Sequence, residues 1–456
     1  MPEGQGVVIT GLGLVLPSGA GLAAADAVFE GRSAVSLLPA IEGLPNATGA
    51  ALRSFRPPAG TESADRSLQF AVSAAEEAWA AARMEGSSPS PDRIATVVSL
   101  SKGPLPYCVS YGDASQAGWH GHAPLRDQVA ATGQTPFQAH GHATARDHAT
   151  PQRLTPYPLL ALADLARQPG PQGRDWTQTW PSAAASAIAA RLGAAGPVLT
   201  PVTACASGGH ALIWGASLIA RGCADAAVVG AAEASLHPLI IGSYRRMGVL
   251  AEAGDDPATS VRPFSATRRG FAIGEGAGIL VLESEASARH RGAAALARVT
   301  GWATGAQACH LAAMEPTGEA LSRIMSDALL RAGVAPEAVD YIHAHGTATH
   351  DNDLAEARAI RRTLGAAAAR VSVSSTKGSH GHLLGAATAV ELVLTVLAIR
   401  RGEAPPTANL TDPDPEIGLD CTPLAARRRP IRCALKLASG FGGHVAAIVL
   451  TSPGGV

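Results

Sequence analysis

Residues Val198 to Ala220 constrain the fold of this chain more than any other stretch. Val198 to Thr203 is rich in β-branched residues and reads as a strand, while the Ala-, Leu- and Ile-rich run from His210 to Ala220 reads as a helix. Between them, Thr203-Ala-Cys205-Ala-Ser-Gly-Gly209 consists of small residues that permit a tight strand-to-helix turn. That turn sets Cys205 at the N-terminus of a buried helix, where the helix dipole lowers a thiol pKa and favours a reactive thiolate. The alternative is an inert core cysteine, because free cysteines are among the most buried residues.

Three later motifs bear on that choice. Tyr341-Ile-His-Ala-His345-Gly-Thr347-Ala-Thr349 ends a strand on a histidine and two hydroxyl residues. Ser374-Ser-Thr-Lys377-Gly-Ser-His-Gly-His382 places a lysine five positions before a histidine, and Gly440-Phe441-Gly-Gly443 forms a turn near the C-terminus. Together with the Cys205 unit, these four motifs in order resemble the elongating β-ketoacyl-(acyl carrier protein) synthases, condensing enzymes of the thiolase superfamily. The resemblance runs from Val7 to Leu450. It implies an α/β, thiolase-like fold of two similar halves in a five-layered α-β-α-β-α arrangement. Residues 1–291 form the half carrying the nucleophile, with an unusual insertion at about 101–179, and residues 292–456 form the half carrying the histidines.

Composition narrows the setting. Only 16% of the 456 residues are charged, and the net charge is −1. So little charge favours a surface covered by a second subunit, and it gives no reason to invoke nucleic acid or anionic membrane. The six cysteines lack a CxxC pair, which reads as reduced thiols in a cytoplasmic protein. The apolar run near Val7 to Leu16 is broken by glycines and reads as a strand, not a signal peptide, and no run is long enough to span a membrane.

The remaining pattern alternates strands and helices, as α/β layers require. Strands are expected at Val7–Leu16, Ile94–Leu100, Ala224–Ala232, Ile279–Leu282, Leu296–Trp302, Tyr341–His345, Val371–Ser374, Ile431–Leu437 and Val445–Leu450. Helices are expected at Arg66–Arg83, Pro181–Leu192, Gly318–Ala332, Leu354–Leu364 and Ala386–Arg401.

The resemblance also implies roles. Cys205 accepts the acyl chain, and its backbone N–H joins that of Phe441, the gating phenylalanine, in an oxyanion hole. His345 and His382 direct two N–H donors at the enolate oxygen formed when a malonyl thioester loses CO₂. Lys377 supports the charge balance, Glu356 orders the network, and Thr347 and Thr349 bond the phosphopantetheine arm of an acyl carrier protein. That arm arrives with the substrate, so no cofactor of the chain's own is expected, and the partners are the carrier and a second ketosynthase-like subunit in a homodimer or heterodimer. His343 and His380 read as supporting or structural.

Departures from the family pattern concern the substrate. Leu437-Ala-Ser439 stands for the usual Asn-Ser-Phe, His444 for Thr, and Ser265 for Asp. Lys102 falls where Gly-Ile-Gly usually floors the acyl pocket, which either points to a short or polar acyl group or leaves Lys102 exposed at the interface. The insertion carries Trp119-His-Gly-His122 and Gln138-Ala-His-Gly-His142, which read as a polar loop or interface arm and not as a metal site. Two other functions fit the same fold: an ester- or amide-forming acyltransferase, and a non-catalytic chain-length partner. The presence of Cys205, His345 and His382 argues against the second.

Overall fold

The computed structural model describes residues 6–39, 46–85, 89–100 and 180–455. The Lys102 position and the His-Gly-His groups lie outside these residues. Before residue 292, five strands of the main sheet are β1 (Val7–Leu16), β2 (Ile94–Leu100), β3 (Val198–Leu199), β4 (Ala226–Glu233) and β5 (Gly276–Ser284). After it come β6 (Ala297–Ala306), β7 (Tyr341–His343), β8 (Ser372–Ser374), β9 (Cys433–Gly440) and β10 (His444–Thr451). The strand order is β8-β7-β9-β10-β6-β1-β5-β4-β2-β3.

Read outward from the β1–β6 junction, the two halves repeat. β1 is antiparallel to β5, β5 to β4, and β4 then runs parallel to β2 and β2 to β3. β6 is antiparallel to β10, β10 to β9, and β9 then runs parallel to β7 and β7 to β8. The halves meet in an antiparallel register of Val7 with Val299 and Ile9 with Ala297.

Helices complete the layers. Besides short helices at Ala25–Phe29 and Glu285–His290, they include α1 (Arg66–Ala81), α2 (Ala183–Leu192), α3 (Ser207–Ala220), α4 (Pro238–Arg246), α5 (Glu319–Ala332), α6 (His350–Leu364), α7 (Lys377–His380) and α8 (Ala387–Arg401). Strand alternation divides the core between them. Val229 of β4 and Ile448 of β10 face a central cluster with Leu212 of α3 and Val393 of α8. Their neighbours face outward: Val228 meets Phe70 of α1, and Val449 meets Met325 of α5. The order is therefore helices, sheet, central helices, sheet, helices, as the resemblance implies.

Several elements differ from expectation at their ends. β3 stops at Leu199 instead of reaching Thr203, because Pro197 and Pro201 have no N–H to pair and instead offer carbonyls to Thr96 N–H and Ser99 Oγ. α6 begins at His350, four residues before the expected Leu354, with Asp351 and Asp353 in a first turn where the helix dipole favours acids. β7 ends at His343, so His345 sits in the loop that follows. α4 and α7 are absent from the pattern-based reading, being short and broken by glycine or polar residues.

The central helices touch through missing side chains. A Cβ on Gly208 of α3 would lie 2.5 Å from the backbone N of Ala389 on α8, and one on Gly278 of β5 would lie 2.5 Å from the backbone N of Val390. Gly208→Val is expected to lower stability by about 1–3 kcal/mol or more through overpacking. Gly254→Ala, where a Cβ meets nothing within 4 Å, is expected to stay within about 0.5 kcal/mol of the parent in the same urea titrations.

Candidate active site

The turn before α3 holds Cys205 as the sequence suggests. Ala204 has φ +50°, a left-handed conformation that is costly for a residue with a Cβ. The turn is held by Thr203 N–H donating to Ser207 Oγ at 2.9 Å, by Ser207 Oγ donating to Ala204 O at 2.7 Å, and by Thr388 Oγ1 of α8 donating to Cys205 O at 2.8 Å. Cys205 is buried, yet it lines a cavity of about 640 Å³.

His345, His382, Thr347, Thr349 and Phe441 line the same cavity. The His345 and His382 rings meet edge to face, with centroids 5.5 Å apart. Leu384 N–H donates to His382 Nδ1 at 3.1 Å, which leaves the proton on Nε2 and makes that nitrogen a donor. His345 Nδ1 is buried without a hydrogen-bond partner among the described residues, a cost of about 1–3 kcal/mol of the kind that functional sites carry. Burial first, then the Lys377 ammonium, then His382 and Lys436, hold the His345 imidazole well below the ordinary histidine range. It is a donor without charge.

The backbone around His345 is fixed by carboxylate and ammonium groups. Glu356 Oε1 accepts from His345 N–H at 2.5 Å and Oε2 from Gly346 N–H at 2.8 Å. Burial nevertheless raises its carboxyl to about 7 against those bonds. Lys377, which is fully buried, donates to His345 O and to Glu391 Oε1. Burial pushes the Glu391 carboxyl up, but Lys377 and Lys436 outweigh it and hold the group below the usual carboxylate range.

Thr347 and Thr349 bond each other at 2.7 Å through their hydroxyls. Phe441 stacks on Tyr244 of α4 at 6.1 Å, and Tyr244 meets Phe271 edge to face at 5.9 Å. Gly440 presses on the Cys205 turn: a Cβ there would lie 3.2 Å from Cys205 N and 2.6 Å from Thr203 O. This contact sets the Gly440 backbone, which leads into Phe441, against the Cys205 turn. His343 and His380 stand behind the site, sharing Thr376 Oγ1 at 3.1 and 2.8 Å. Burial pulls His380 down to about 4 and His343 well below its ordinary value.

Glu391, Lys436, Tyr244, Phe271 and Thr388 were not singled out from the sequence. A charge inside an apolar helix or strand, as at Glu391 and Lys436, is a usable signal, since it requires a buried partner. Tyr244 and Phe271 give no such signal. Among the described cysteines, burial raises Cys421, and raises Cys433 to about 12, so both thiols stay protonated. Cys223 and Cys309 are exposed. Among the described residues no group of His, Cys, Asp and Glu could hold a metal ion.

Known proteins repeat this arrangement of elements. The beta-ketoacyl synthase N-terminal domain model matches residues 155–288, and the C-terminal domain model matches residues 296–411. The tetracenomycin polyketide synthase ketoacyl synthase alpha subunit of Streptomyces glaucescens is 34% identical over 98% of this chain and 97% of its own length. The oxytetracycline polyketide putative beta-ketoacyl synthase 1 of Streptomyces rimosus is 42% identical over 60% of this chain, and the chain spans 64% of that protein's length. A solved type II polyketide synthase ketosynthase, bound to the hexaketide and in complex with its acyl-carrier protein, superposes with a TM-score of 0.81 at 31% identity, covering 99% of this chain and 100% of that one. Matched along both halves and over nearly its whole length, the chain belongs to the β-ketoacyl synthase family, the condensing enzymes of polyketide and fatty-acid biosynthesis.

Proposed function

We propose that the chain carries out decarboxylative Claisen condensation between an acyl group on Cys205 and a malonyl-type carrier thioester. The observation that carries this reading is the edge-to-face pair of His345 and His382 in the cavity onto which Cys205 opens. A donor from each ring toward one point suits an enolate oxygen, and an uncharged His345 leaves the malonyl carboxylate without the ion pair that would slow its loss.

In the first half-reaction the Cys205 thiolate attacks the acyl-carrier thioester, with the Cys205 and Phe441 amides holding the oxyanion. The carrier thiolate leaves and takes up a proton. In the second, the malonyl thioester breaks its bond to the carboxylate and releases CO₂. The electron pair left behind forms an enolate held by the histidines. Its carbon attacks the acyl-Cys205 carbonyl, the new C–C bond forms, and the Cys205 thiolate departs, leaving a 3-oxoacyl carrier thioester. Lys377 and Glu356 hold the His345 loop throughout. Thr347 and Thr349, at the cavity wall, receive the phosphopantetheine arm, so the chain needs no cofactor of its own. In this division of labour residues 1–291 supply the nucleophile and residues 292–456 the histidines.

The partner proteins follow from the same reading. The carrier is an acyl carrier protein, and the second subunit is another ketosynthase-like chain. The name of the Streptomyces glaucescens relative, an alpha subunit, accords with that arrangement. Val198 (42% exposed) on β3, Val202 (50%) after it and Trp214 (43%) on α3 are exposed apolar residues, and the other edge of β3 pairs with no strand among the described residues. An unpaired apolar edge of this kind suits a subunit contact. A cytoplasmic setting suits the free thiols. No helix among the described residues is long and apolar enough to cross a membrane.

Cys205→Ala is expected to abolish acyl loading in intact-mass spectra. His345→Ala and His382→Ala are expected to load acyl groups but release labelled CO₂ from malonyl carrier about 10²-fold more slowly, the scale of losing one preorganised donor. Release at the parent rate from both histidine variants would contradict the enolate role. Val202→Asp is expected to shift the protein toward monomer in light scattering, and an unchanged mass would place the subunit contact elsewhere.

A further inference from the structure

Lys436 is the only charged side chain on β9 (Cys433–Gly440), and it is fully buried. Its register partner on β7 is His343. The ammonium lies 2.6 Å from Leu437 O, 3.1 Å from Ala344 O, 3.3 Å from His343 O and 2.8 Å from Glu391 Oε2. Lys377 takes the other Glu391 oxygen and the His345 carbonyl. The carbonyls of three consecutive residues, His343 to His345, are thus held by two ammonium groups that share one carboxylate. The facing N–H groups are also held: Ala344 donates to Ser374 O at 2.9 Å, and His345 and Gly346 donate to Glu356.

A second buried lysine is not needed to neutralise Glu391, which Lys377 already pairs. Desolvating another cation is expensive, and an apolar residue would pack on a buried strand without that cost. We infer that Lys436 is a positioning residue for the condensation: by holding the carbonyls of His343 and Ala344 it fixes the peptide that carries His345. The inference rests on the function proposed above.

The charges acting on the His345 ring are Lys377 on α7, His382 after it and Lys436 on β9, while Glu356 on α6 takes its backbone N–H, Glu391 on α8 pairs both lysines, and Cys205 before α3 lines the same cavity. His343 and His380 lie behind. Burial first, then Lys377, His382 and Lys436, disfavour the imidazolium. Without Lys436, His345 takes up a proton at higher pH. An imidazolium there would pair with the malonyl carboxylate and stabilise the ground state, which slows decarboxylation. Burial, aided by the Lys377 charge and opposed by Glu391, pulls Lys436 itself down to about 8. Parent and neutral variant should therefore converge above that pH and diverge below it.

The test is CO₂ release from malonyl carrier by the parent, Lys436→Gln and Lys436→Met between pH 6 and pH 9, with stability measured alongside. Gln keeps donors for the carbonyls, and Met removes them. We expect the variant-to-parent rate ratio at pH 6 to fall at least about threefold below its value at pH 9, with acyl loading of Cys205 retained. A ratio that does not change with pH, or neutral variants that both fail to fold, would overturn the inference and leave Lys436 a structural residue. A parent that releases no CO₂ at any pH would overturn the proposed function instead, and this inference with it.

Discussion

The close contact between α3 and α8 is the constraint on which the site depends. Gly208 lies against the backbone of Ala389, Gly278 of β5 lies against the same segment, and Thr388 donates across the contact to the carbonyl of Cys205. Two central helices can approach so closely only where side chains are absent or small. The contact joins the Cys205 turn of one half to the segment that follows His382 in the other. Neither half holds the site alone, and a misplacement of about 1 Å between the halves would cost a reaction that uses both about 10²-fold in rate.

A second constraint is electrostatic. The site places Lys377, Lys436, Glu391, Glu356 and Asp353 out of water, where an unpaired charge would cost several kcal/mol. Each is paired or bonded to backbone, and Asp353 accepts from Phe264 N–H at 2.9 Å. The result is a well-anchored loop at His345 with an uncharged ring, flanked by fixed charges that would not need to reorganise if, as proposed, an enolate forms there. Flexibility is left to the glycines beside Phe441, at positive φ in Gly442 and Gly443.

Much of this was legible in the sequence because the fold is built from long apolar runs. The order of strands and helices and the Cys205 turn follow from local signatures, whereas the gathering of His345, His382, Thr347, Thr349 and Phe441 on one cavity was expected only through the family resemblance that their motifs carry. Element ends were read less well, because prolines beside β3 and a polar first turn in α6 decide them through individual hydrogen bonds. The Glu391–Lys436 pair was missed for a different reason. Its two members stand 45 residues apart, and only the register of β9 beside β7 and the seating of α8 bring them together. Tyr244 and Phe271 enter through α4 and an irregular loop, where no periodicity marks the face that turns inward. Lys102 and the His-Gly-His groups lie outside the described residues.

The most direct measurement of the central claim follows one acyl group through a turnover by mass. The parent protein is incubated with an acyl carrier, freed of it, and then given malonyl carrier. The account predicts that the acyl mass appears on the peptide containing Cys205, leaves it in the second step, and is recovered on the carrier as a 3-oxoacyl thioester lengthened by one two-carbon unit, with one CO₂ lost per unit. Recovery of the acyl group as an ester or amide with the malonyl carrier intact, or stable acylation at a cysteine other than Cys205, would contradict it.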